Sequence, residues 1–139
     1  MLRHATIDSD ILVHVEAFDR QNRSATRFSM STKIPEYLAS GRCIFAVGPG
    51  DVASMEYIAQ HDLGVVAISD DRNTVKTALR RIMMDRSMRA RYADRGIEIA
   101  RERHNAGTIA EQVRRLLSGA LDSREDNNLQ SNPFRTASR

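Results

Sequence analysis

The chain has 139 residues, 41% hydrophobic and 28% charged, with a net charge of +3, which suits one globular domain with a modest core. So small a basic surplus, carried by arginines set mostly among acids, argues against a nucleic-acid partner. No apolar run approaches the roughly 20 residues of a membrane span and no apolar signal segment opens the chain, so a cytoplasmic protein is expected.

Residues 1–9 carry no usable pattern. Ile11-Leu12-Val13-His14-Val15 is a short β-branched run that reads as a parallel strand covered on both faces. Residues 16–30 are polar, hold Arg20, Arg23 and Arg27, and read as a loop at the carboxyl end of that strand, where open α/β sheets bind ligands. The same residues also fit a surface loop whose arginines are simply solvated. In Ser31-Thr32-Lys33-Ile34-Pro35-Glu36-Tyr37-Leu38-Ala39-Ser40-Gly41, two hydroxyls placed to cap through their side-chain oxygens precede a short helix over residues 33–40. Pro35 falls in its first turn and Gly41 at its left-handed stop. Lys33 and the two hydroxyls then surround a helix start where a phosphate could sit, with Glu36 a turn further in to accept from sugar hydroxyls. An ordinary capped helix of an α/β sheet accounts for the spacing equally well.

Cys43-Ile44-Phe45-Ala46-Val47 predicts a second buried strand, closed by Gly48-Pro49-Gly50. Cys43, the single cysteine, reads as a buried thiol in a reducing compartment rather than a nucleophile or disulfide partner. Asp51 is placed to cap a helix over residues 52–61, with Met55, Ile58 and Ala59 inward; Ser54 fits a place facing the ligand cleft, but reads more simply as a surface serine. Residues 63–68 predict a third strand, which completes a β-α-β-α-β alternation and a parallel sheet. Beyond Asn73, Val75, Ala78, Leu79, Ile82 and Met83 mark one apolar helical face. A second, charge-rich helix follows over residues 87–103, and residues 105–107 break it. Thr108 and Glu111 form a capping box for a last helix with Ile109, Val113, Leu116, Leu117 and Ala120 inward. Residues 122–139 are polar and aperiodic, the signature of a disordered tail. His4, His14, His61 and His104 are too scattered for metal-ligand spacing, so no metal site is expected.

The run from Ser31 through Gly41 to Arg42-Cys43-Ile44-Phe45-Ala46, preceded by Ser9-Asp10-Ile11-Leu12-Val13-His14-Val15-Glu16, resembles the donor-binding half of GT-B-fold glycosyltransferases of the group 1/family 4 kind. The likeness covers residues 9–117. It implies a partial Rossmann-like α/β domain: residues 1–121 as the C-terminal part of a nucleotide-sugar-binding domain, with three parallel strands and flanking helices, and residues 122–139 as the tail. By that likeness Ser31, Thr32 and Lys33 match the diphosphate side and Glu36 matches the ribose glutamate. The family's second glutamate, eight positions before Glu36, is Phe28 in this chain, and Glu16 is a substitute by position alone. The resemblance implies a hexosyltransferase type of activity, a nucleotide-diphosphate sugar as donor substrate and no separate cofactor. It also implies that three earlier strands and the acceptor-binding domain are missing, as in a fragment, a truncated product or a degenerate paralogue without turnover of its own. Two other classes stay open: a nucleotide- or phosphate-binding module without catalysis, and an interaction protein that forms a homo-oligomer through its exposed sheet edge. A nicotinamide-dinucleotide enzyme is disfavoured, because no Gly-x-Gly-x-x-Gly follows any strand.

Overall fold

A computed structural model describes residues 8–105, 107, 109–111 and 113–115. The chain divides into two compact units, Met1–Glu102 and Arg103–Arg139. The first is an α/β unit whose sheet runs β1 (Ile11–Val15), β2 (Cys43–Val47), β3 (Gly64–Ala67) in that spatial order, all parallel. Val13 lies opposite Phe45 and Val15 opposite Val47, while Ile44 lies opposite Gly64. The strands fall where their β-branched runs predict, although β3 is shorter than residues 63–68.

β2 is the central strand, and its alternation divides the core. Ile44 and Ala46 face a layer built from Ile34 and Leu38 of α2 (Lys33–Ala39), from Val52, from Met55 and Ile58 of α3 (Ala53–Gln60), from Leu63, and from Ile99 of α5 (Arg86–Arg103). Cys43 and Phe45 face the other layer, with Ala67, Ile82 of α4 (Arg72–Met84) and Tyr92 of α5. Period-two alternation on a strand and 3.6-residue periodicity on the helices therefore meet on both sides of one sheet. α4 lies over β3 and β2. On the same face of β1, Ile11 is half-buried against this layer, whereas Val13 and Val15 are left 53% and 67% exposed.

Two glycines are needed for these close approaches. A Cβ on Gly64 would stand 2.1 Å from the Ile44 carbonyl oxygen, so β3 can run against β2 only without a side chain there. Gly41 ends the α2 segment at φ +66°, the left-handed stop expected of it.

Four local expectations change. Residues 16–30 are not all loop: α1 (Arg20–Thr26) forms within them, started by Asp19, whose carboxylate accepts from the Asn22 backbone N–H at 3.0 Å. That acceptor outweighs the absence of an apolar stripe, and α1 accordingly buries nothing. Asp51 does not cap α3, which begins after Val52 without a side-chain cap; the Asp51 carboxylate is drawn to Arg23 instead. Ala59 is exposed rather than inward. Met83, placed by periodicity at the rim of the apolar face of α4, is exposed as well, because the sheet beneath α4 is narrow.

In the second unit, residues 107, 109–111 and 113–115 are helical, with Ile109 and Val113 exposed. Glu111 accepts from Arg114 at 2.6 Å and Arg115 at 3.1 Å. Thr108, Leu116, Leu117, Ala120 and the expected tail over residues 122–139 lie outside the described residues. Among the described residues no helix is long and apolar enough to cross a membrane.

Candidate functional site

The carboxyl ends of β1 and β2 open onto the 16–32 segment and the Gly48-Pro49-Gly50 turn, and three contacts hold these two loops together. Arg23 of α1 reaches Asp51 with both arms of its guanidinium, Nε donating to Oδ1 at 3.0 Å and Nη2 to Oδ2 at 2.6 Å. The backbone N–H of Ala53 donates to the Arg27 carbonyl at 2.9 Å. The backbone N–H of Ser31 donates to the Ser54 hydroxyl at 2.9 Å. A planar fork on a carboxylate fixes direction as well as distance. The Arg23 guanidinium holds the Asp51 carboxyl below the usual carboxylate range, with a smaller contribution from Arg27.

Ser31, half-buried, follows these anchors, and its hydroxyl accepts a long bond from the Lys33 backbone N–H at 3.4 Å. Thr32 occupies the N-cap of α2 but makes no side-chain cap bond. Its backbone is already helical, at φ −62° and ψ −16°, whereas a capping hydroxyl normally goes with extended backbone. The expectation that both hydroxyls cap α2 therefore fails for Thr32. Lys33 and Glu36 are exposed on the first turn, three residues apart and so on one flank of the helix. Ile34 and Leu38, on the opposite side, fix α2 against Ile44 and Ile58. Thus Ser31, Thr32, Lys33 and Glu36 are together at one end of α2, as four neighbours in sequence must be.

Glu16 occupies a different part of the same end of the sheet. Its backbone N–H donates to the Val47 carbonyl at 2.9 Å, and its carboxylate is engaged by His14 Nε2 at 2.9 Å. Both side chains are largely buried, and a Cβ on Gly48 would come within 2.7 Å of the Glu16 Cβ. Glycine at 48 therefore lets the β2–α3 turn close down on Glu16. Phe28, which stands where the resembled family has a glutamate, is 88% exposed, with the Arg27 guanidinium 5.3 Å from its ring centroid.

Sequence reasoning missed the anchors. Ser54, read as a surface serine, is fully buried in the first turn of α3, and nothing in the local pattern marks it as the partner of a residue 23 positions away. Asp19 did carry a signal, a capping residue ahead of a polar run. Among the described residues no group of three or more His, Cys, Asp or Glu side chains could hold a metal ion. No family model matches the chain, and no curated protein matches it.

Proposed function

We propose that the chain is the donor-binding portion of a glycosyltransferase of GT-B type, a part that takes up a nucleotide-diphosphate sugar. The observation that carries the proposal is the pinned segment at the carboxyl ends of parallel strands. Arg23–Asp51, Arg27–Ala53 and Ser31–Ser54 hold the approach to α2 in one geometry while leaving Lys33 and Glu36 open to solvent. A ligand crevice in an open α/β sheet belongs at this end. Preorganised backbone costs less to bind with than a loop that must be ordered first. In this reading Lys33 and the hydroxyls of Ser31 and Thr32 take the diphosphate and Glu36 the ribose, with Glu16 held in reserve by His14. The lone buried thiol agrees with a reducing, cytoplasmic setting.

The test is titration of a panel of nucleoside diphosphates into the full chain and into Lys33→Ala. Loss of one charge-assisted contact, about 1.5–3 kcal/mol, weakens binding roughly ten- to a hundredfold. Equal affinity in the two proteins, or no binding to either, overturns the reading.

A second reading, an interaction protein without nucleotide, is favoured by one specific observation: the exposed valines of β1. It predicts self-association and no phosphate-dependent binding.

A further inference from the structure

We propose that β1 is a self-complementary interface, through which two copies of the chain join edge to edge about a two-fold axis at Val13. The inference deepens the second reading above and is independent of nucleotide binding. Among the described residues β2 is the only strand paired with β1. The Glu16 N–H points to β2, where it meets the Val47 carbonyl. In a parallel pair, alternate residues turn both backbone groups to the same neighbour. Leu12, His14 and Glu16 therefore face β2, while Ile11, Val13 and Val15 turn their N–H and C=O groups to the outer edge.

The side chains of these same three residues share one face of the sheet, where Ile11 is half-buried against the second layer of the core and Val13 and Val15 are 53% and 67% exposed. Within β1 itself the sequence carries none of the usual edge-protecting residues. Ile-Leu-Val-His-Val contains no lysine, no proline and no glycine, whereas natural edge strands normally carry a charge, a proline or a bulge that prevents pairing.

A second copy fits this edge in a definite register. Antiparallel pairing about Val13 sets Ile11 against the partner's Val15 and Val13 against the partner's Val13. Each of these pairs exchanges two backbone hydrogen bonds. Leu12 then faces the partner's His14. Ile11, Val13 and Val15 of both copies form one apolar strip, and no charged residue falls within the paired strands. Just beyond them, Asp10 faces the partner's Glu16. These like charges work against association, and salt screens them.

The experiment measures the sedimentation of the full chain at tens of micromolar, with Val13→Lys, Val13→Cys and Met84→Cys as comparisons. Expected are a dimer that added salt tightens, a monomer for Val13→Lys, and a disulfide-linked dimer for Val13→Cys on mild oxidation. Opposed residues in this register have Cα atoms about 5.5 Å apart, within disulfide reach. Met84→Cys, whose parent residue is 86% exposed on α4, should not cross-link under the same conditions. A monodisperse monomer, a dimer unaffected by Val13→Lys, or a Val13→Cys dimer that cross-links no better than Met84→Cys overturns the proposal. Because Val13→Cys changes little in volume or polarity, the cross-link decides the matter even if the lysine variant misfolds.

Discussion

Asp51 accepts both arms of the Arg23 guanidinium across 28 residues of sequence, and this is the contact that turns a polar excursion into a wall of the candidate site. Its pH dependence has a definite sign. The Asp51 carboxyl is held below its ordinary value of 3.8, chiefly by the bond to Arg23. A carboxyl lowered on folding contributes stability above its unfolded value, and that contribution is lost as pH falls through the folded one. The backbone amides of α1 should therefore exchange faster with solvent below the ordinary carboxylate range than at neutral pH. Arg23→Gln should show the faster exchange at neutral pH already, while α4 keeps its protection. Unchanged exchange over α1 in Arg23→Gln would show that the pair does not hold the loop.

Ser54→Ala removes the acceptor of the Ser31 N–H and leaves a partly buried donor unpaired. The expected loss is about 1–3 kcal/mol, measured as a lower denaturant midpoint. Nucleoside diphosphate binding should weaken with it, because the approach to α2 loses its anchor. A variant as stable as the parent would mean that water replaces the hydroxyl without cost.

Glu36 is expected to recognise ribose and not to act as a base, since among the described residues no His or carboxylate is bonded to it and it stands exposed on the first turn of α2. Glu36→Gln should weaken nucleotide binding modestly, as one acceptor oxygen is kept, and Glu36→Ala more. Inorganic pyrophosphate, which lacks ribose, should bind all three proteins alike. An equal loss of pyrophosphate binding would assign the carboxylate a different role.

Burial pushes the Cys43 thiol up to about 12, so almost none is thiolate at neutral pH, and thiolate is the reactive form. Thiol reagents should modify Cys43 only as fast as the chain unfolds, and fast labelling under native conditions would contradict its place beneath α4. This protection also reports whether the β1 variants remain folded.

Gly64→Ala should damage the sheet, because the Ile44 carbonyl oxygen lies 2.1 Å from the new Cβ and is held in the β2–β3 ladder. The expected cost is at or above the roughly 1–3 kcal/mol of a typical overpacked site. A normal unfolding midpoint would show that β3 can shift outward at little cost.

The parallel sheet, the two breaks at Gly41 and Gly48-Pro49-Gly50, and most of the core were legible in the sequence. Those features depend on neighbours: an apolar run long enough for a strand, a 3.6-residue period in α4, a glycine where the chain must turn left-handed. The proximity of Ser31, Lys33 and Glu36 was legible for the same reason, since one helical turn brings them together. Only the tertiary structure decided what those residues rest on. A carboxylate before a helix is a good cap in isolation, so Asp51 looked like one. It turned to Arg23 because the fold brings a guanidinium fork within reach, and a charge-assisted bidentate bond outweighs one neutral N–H. Ser54 went inward because the 16–32 segment folds back over α3 and offers it a donor. The exposure of Val13 and Val15 was likewise invisible in a run of five residues with four β-branched or leucine side chains, whose pattern predicts burial on both sides. Whether a helix covers a strand depends on where the crossovers land, and α4, leaving the far edge of the sheet, lands on β3 and β2.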